Sequence, residues 1–143
     1  MAFVTRFKRR VTGTTMIDGP VSGSIVVIPV TFGDDIANGT AYRTIDLPAG
    51  MSLKIVSITP KASSITSDPE VTVGSAVDGA QIVAAANVVD GTALTLATAD
   101  VTDLLSFKVV NDAGDAYSDL VFTVIAYVTA PPTSLVERNI NHA

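Results

Sequence analysis

The residues able to do chemistry in this chain are few, and their spacing narrows what they do. His142 is the only histidine and stands next to the last residue, in a polar tail. A Ser-His-Asp triad needs a rigidly oriented imidazole, which such a position does not supply. Zinc-type sites need several histidine or cysteine ligands, and the chain has no cysteine. That also removes disulfides and thiolate nucleophiles. Asp34-Asp35 could serve as a glycosidase-type acid and base. The pair precedes Asn38-Gly39, however, in a stretch where carboxylates commonly form turns. "NDAGDAYSD" brings Asp112, Asp115 and Asp119 close together, enough oxygen ligands for calcium, but lacks the D-x-[DN]-x-[DN]-G pattern. Its other reading is a hairpin loop between two strong strands. Neither glycine-rich phosphate-loop pattern occurs. With no Trp and only Tyr42, Tyr117 and Tyr127, the aromatic signal for sugar stacking is thin. These residues predict a protein that is not an enzyme and holds no cofactor or metal.

The elements that would position such groups are all extended. Turn signals recur at Asp18-Gly19-Pro20, Asn38-Gly39, Pro48-Ala49-Gly50, Ser67-Asp68-Pro69, Asp78-Gly79, Asp90-Gly91 and Asn111-Asp112-Ala113-Gly114. Between them lie short runs rich in Val, Ile and Thr. They predict strands near 22–32, 41–47, 51–59, 70–75, 80–85, 92–97, 104–110 and 119–129. Helical signals are confined to "AQIVAAANVV" and a single turn at "ADVTDLL". The expected fold is all-β, a β-sandwich of jelly-roll type.

The strand faces say more than the strand count. In "LVFTVIAYV", Leu120, Phe122, Val124, Ala126 and Val128 share one face, while Val121, Thr123, Ile125 and Tyr127 share the other. Both faces are largely apolar, which predicts cover on both sides. In "SIVVIPVTF", Val26, Ile28, Val30 and Phe32 oppose Ile25 and Val27. Pro29 cannot donate to a ladder, so this strand belongs at an edge or contains a bulge. The apolar parity of "MSLKIVSIT" changes after Ile55, from Met51 and Leu53 to Val56 and Ile58, which predicts a β-bulge.

With 143 residues the chain fits one domain, and only 16% of them are charged against 48% hydrophobic. Less charge than the roughly 25% of an ordinary soluble domain predicts surface covered by a partner protein. No apolar run is long enough for a membrane span, and "MAFVTRFKRRVTGTTMIDGP" contains no signal-peptide core. Arg6, Lys8, Arg9 and Arg10 give a +4 segment ahead of a body that, from Val11 on, holds five basic and fourteen acidic residues. That acidic body would repel nucleic acid. The division expected is a basic N-terminal arm over 1–12, a β-sandwich domain over 13–130 and an extended C-terminal tail over 131–143. Phe3, Val4, Phe7 and Val11 would dock the arm, with its charges choosing the site.

A cysteine-free Val/Ala/Thr/Gly-rich β-domain with these two ends resembles the small head decoration (cement) proteins of tailed bacteriophages. The resemblance spans most of the chain and is strongest in "SDPEVTVGSAVDGAQIVAAANVVDG". It implies a jelly-roll or related sandwich, often trimeric, on the outer capsid shell between major capsid proteins, in a virion assembled in the host cytoplasm. Phe3, Arg6, Phe7, Lys8, Arg9 and Arg10 would then contact the capsid, with Leu135, Val136 and Ile140 as second anchors. The alternatives are another virion component (a head-tail, tail-tube or fibre subunit) and a carbohydrate-binding β-sandwich module with an exposed aromatic platform.

Overall fold

The computed structural model describes residues 22–34, 39–67, 69–112 and 114–133. Ten strands occur among them: β1 (Ile25–Gly33), β2 (Gly39–Asp46), β3 (Ser52–Lys61), β4 (Ser64–Thr66), β5 (Glu70–Gly74), β6 (Val83–Asn87), β7 (Asp100–Val101), β8 (Leu104–Asn111), β9 (Ala116–Ser118) and β10 (Leu120–Ala130). Every pairing is antiparallel. One sheet runs β1-β10-β3-β7, a second runs β2-β8-β5-β6, and β4 and β9 form a short ribbon. The all-β expectation holds, with the two sheets curled as a half-barrel around one shared core. The pairings are nested: β1 with β10, β2 with β8, β3 with β7, β5 with β6.

Strand alternation builds the core. Leu120, Phe122, Val124, Ala126 and Val128 of β10 are all buried, as their shared parity requires. Phe122 meets Phe107 of β8 with ring centroids 5.3 Å apart and Phe32 of β1 edge-on at 5.5 Å. That trio joins the two sheets, a geometry aromatic quadrupoles favour. Pro29 stands on an edge strand, because β1 pairs only with β10 among the described residues. The predicted bulge in β3 is present: Ile55 faces Ala126 and Ser57 faces Ile125, leaving Val56 extra. Its consequence differs from expectation. Leu53 and Ile55 stay inward, the bulge absorbs Val56, and Ile58 resumes the inner row. Val56 therefore points to solvent, 56% exposed.

Three expectations about the middle of the chain need correcting. Residues 92–97 form no strand; the segment hangs beside β3 by isolated bonds, Leu94 N–H to Ile58 O at 2.9 Å and Gly91 N–H to Pro60 O at 2.8 Å. "AQIVAAANVV" is neither helical nor a strand from 80: it bends at Gln81-Ile82 before β6 begins at Val83. "ADVTDLL" contributes β7 instead of a helical turn. Long-range pairing overrides a weak local preference at β6 and β7, and at 92–97 it is too sparse to complete a strand.

Between Gly74 and Val83 the chain turns back over the outer face of the second sheet. Gly74 faces outward yet is buried, and a Cβ there would come within 2.5 Å of the Gly79 carbonyl carbon and 2.6 Å of Gln81 Oε1. Only glycine permits that approach. Gln81 Oε1 accepts from Ser75 N–H at 3.0 Å, and Lys108 of β8 pairs with Asp78 at 2.9 Å. The opening turn ends at Gly79, whose N–H donates to Ala76 O, with Asp78 at φ 64°.

Candidate interaction surface

The outer face of the β1-β10-β3 sheet is the region whose chemistry stands out. Register places Ile25 beside Tyr127 and Lys54, Val27 beside Ile125 and Ser57, and Thr31 beside Val121 and Lys61. Ile25 and Val27 are 64% and 60% exposed, and the bulge adds Val56 to the same face. Ile125 and Tyr127 are half-buried within the row. β1, β10 and β3 carry no carboxylate; their charges are Lys54 and Lys61. Exposed valine and isoleucine in one contiguous row is the pattern of a contact surface, whereas scattered apolar residues need no explanation.

The free edge of β1 borders this face. Thr31 carbonyl accepts from Arg43 Nε at 2.9 Å, so that carbonyl points away from β10. By strand alternation the backbone groups of Pro29, Val27 and Ile25 point the same way. Pro29 offers no N–H, and the Arg43 guanidinium lies 4.9 Å over the Phe32 ring, tying β2 to β1. Both are devices that blunt an edge. They protect only its Gly33 end. Toward Ile25 the edge is open, and beneath it Val26, Ile28, Ile45 and Leu47 are only partly buried against the core.

Both ends of the described chain reach the same pole. Gly23 N–H donates to Val128 O at 2.7 Å and Val128 N–H to Ser24 O at 2.9 Å, carrying the line of β1 past Ile25 along β10. Thr129 Oγ1 bonds Ser52 Oγ at 2.7 Å, and Thr133 N–H donates to Ala49 O at 2.9 Å. The described chain thus begins and ends beside the Ile25–Tyr127 end of the apolar face.

The sequence-predicted contact residues Phe3, Arg6, Phe7, Lys8, Arg9, Arg10, Leu135, Val136 and Ile140 lie outside the described residues, as does His142. Of the acidic pair, Asp34 is described and accepts from Asp119 N–H at 3.3 Å; Asp35 lies outside. The Asp112, Asp115 and Asp119 carboxylates do not converge. Asp115 Oδ2 accepts from Asp112 N–H at 2.8 Å inside its own loop, and Asp119 Oδ2 takes the Ser63 hydroxyl at 3.0 Å. Among the described residues no group of three His, Cys, Asp or Glu is placed to hold a metal. The hairpin-loop reading needs correcting as well: β8 belongs to the second sheet and β10 to the first, so this segment carries the chain from one sheet to the other. The tyrosines form no platform either: Tyr42 stands on the outer face of the second sheet, Tyr127 on that of the first, and Tyr117 is buried. The second sheet's outer face is polar, with Tyr42 beside Lys108 and Thr72, and Thr40 beside Val110 and Glu70. There Asp78 raises the Lys108 pKa, first through its hydrogen bond and then through its charge.

Sequence reasoning missed the placement of Val56, whose exposure depends on where the bulge falls. It also missed the open seam, which needs the spatial pairing of β1 with β2. The signal for the seam was Pro29, which marked the edge. No helix among the described residues is long and apolar enough to cross a membrane. No family model matches the chain, and no curated protein or solved structure matches it.

Proposed function

We propose that this chain is a structural virion protein, a non-enzymatic decoration protein that binds and stabilises the outer surface of a phage head. The observation that carries this reading is the apolar outer face of β1, β10 and β3, with Ile25, Val27 and Val56 exposed on it. A contiguous exposed apolar patch marks a protein interaction site. The nested pairing of eight strands supports a jelly-roll sandwich, the architecture obtained by rolling one long antiparallel hairpin.

Attachment through one pole supports the cement role. The described chain begins at Ser22 and ends at Thr133 on one pole beside the apolar face, and in this reading Phe3, Phe7 and the basic cluster Arg6, Lys8, Arg9 and Arg10 contact the capsid together with Leu135, Val136 and Ile140. Several weak contacts made at once gain through effective concentration. Binding assembled shell subunits in preference to free ones stabilises the shell by mass action. The partners in this reading are the major capsid protein and further copies of the chain, as a homotrimer.

The test is co-sedimentation with phage heads. The full chain is expected to pellet with heads and raise their thermal resistance. Deleting residues 1–12 should leave the β-domain folded by circular dichroism and abolish pelleting. Undiminished pelleting without those residues would remove the arm from the contact, and no pelleting of the full chain would end the cement reading.

A further inference from the structure

The open stretch of the β1 edge has a definite length and a definite chemistry. Arg43 closes the edge at Thr31 and Pro29 removes a donor, so the accessible ladder groups are those of Ile25 and Val27 and the Pro29 carbonyl. Val26 and Ile28 on β1 and Ile45 and Leu47 on and after β2 are only partly buried, while the same strands near Phe32 and Ala41 are closed. The site asks for a short extended segment whose alternate side chains are large and apolar on one side and solvated on the other.

Residues 1–21 contain such a segment. In "FVTRFKRR", strand alternation puts Phe3, Thr5 and Phe7 on one side and Val4, Arg6, Lys8 and Arg10 on the other. The segment precedes Ser22, and its +4 charge is opposite in sign to the net charge of a described body with ten acidic and four basic residues, none of the acidic ones on β1, β10 or β3. Because Gly23 and Ser24 continue the line of β1 along β10, the chain leaves the sheet from its end and not from its side.

We propose that residues 3–7 of a second copy add to the β1 edge as an extra strand, with Phe3 and Phe7 filling the seam beside Val26, Ile28, Ile45 and Leu47. Arg6 and Lys8 then lie outward, their aliphatic stems over Ile25 and Val27. The junction is head-to-tail: one copy's segment occupies the next copy's edge, and the homotrimer of the proposed function requires a rotation that closes as a ring. Exchange between copies rests on the oligomeric part of the proposed function, and it gives Phe3 and Phe7 to a neighbouring copy in place of the capsid.

The experiment is complementation between two full-length variants. Val27→Pro removes an edge N–H that the fold does not use and keeps the N-terminal segment intact. Phe3→Asp with Phe7→Asp spoils the segment and keeps the edge open. Sedimentation velocity should show wild type associated, and each variant alone weakened about tenfold or more. An equimolar mixture should form a one-to-one complex, since each supplies what the other lacks. Val27→Lys tests the same edge should the proline variant lose its strand signal in circular dichroism. A monomeric wild type, a variant that associates like wild type, or a mixture that stays monomeric would each overturn the proposal. Loss of head binding with association intact would instead count against the cement role alone.

Discussion

The two outer faces of this molecule are built from strands of similar length around one core, and they are finished in opposite ways. On the β2-β8-β5-β6 sheet, threonines, Tyr42, Lys108 and Glu70 face water, and the chain after Gly74 folds back over the face, with Gly79 and Gln81 against Gly74 and Asp78 on Lys108. On the β1-β10-β3 face nothing among the described residues does the same for Ile25, Val27 and Val56. A sheet face can be settled by its own loop or left for a partner. This chain does both, and the difference locates the interface.

The largest effect should come from removing what the two faces share. Phe122 packs against Phe107 across the sheets and against Phe32 within its own. Phe122→Ala is expected to cost about 3–5 kcal/mol, read from the urea midpoint at unchanged m-value. A loss below about 1.5 kcal/mol would mean that the sheets do not depend on a common core, and the comparison of their outer faces would lose its basis.

Gly74→Ala tests whether the covered face is covered by design of the backbone. The new methyl meets the Gly79 carbonyl carbon and oxygen at 2.5 Å, atoms that move only if the loop lifts. We expect a destabilisation of about 1–3 kcal/mol, with faster hydrogen exchange across residues 75–82. Unchanged exchange there would show that the loop accommodates a side chain and that its cover is loose.

These positions also show what could be read from the sequence. The alternation in β10 and the proline in β1 announced an inner row, an outer apolar row and an edge, because period-two patterning and a missing donor are local facts. The bulge was legible as a parity change, but its position was not: Val56 reads as inward until Ile55 is known to face Ala126. The loop after Gly74 was invisible. Asp78-Gly79 signals a turn, yet nothing local says that the turn lies back on β5 and β8. Residues 92–97 failed for the related reason that their bonds, Leu94 to Ile58 and Ala97 to Ile82, are too sparse to make a strand. The Asp112, Asp115 and Asp119 cluster looked convergent because sequence proximity hides where each carboxylate points.

Val56→Glu sharpens the comparison without touching the β1 edge. The side chain is solvent-facing, so stability should stay within about 0.5 kcal/mol of wild type. Head attachment, measured by co-sedimentation, should weaken about tenfold, the scale of losing one central apolar contact. Thr44→Glu, on the outer face of the second sheet, should leave attachment unchanged. Equal losses from both would spread the contact over the whole molecule and dissolve the distinction between its faces.

The smallest effect concerns the ion pair that pins the covering loop. Lys108 has its pKa raised by Asp78, so the charged form is favoured in the folded protein. A raised lysine contributes its stability fully below the unfolded value, about 10.4, and loses it as pH climbs through the folded value. Asp78→Asn should therefore lower the urea midpoint slightly at pH 7, and the two proteins should converge above pH 10.5. The pair is solvent-exposed, so raising the salt to about 1 M should also close most of the gap. A difference that survives both high pH and high salt would assign the loop's hold to Gln81 and the close approach at Gly74. The polar face would then be covered by packing, and charge would have no part in telling the two faces apart.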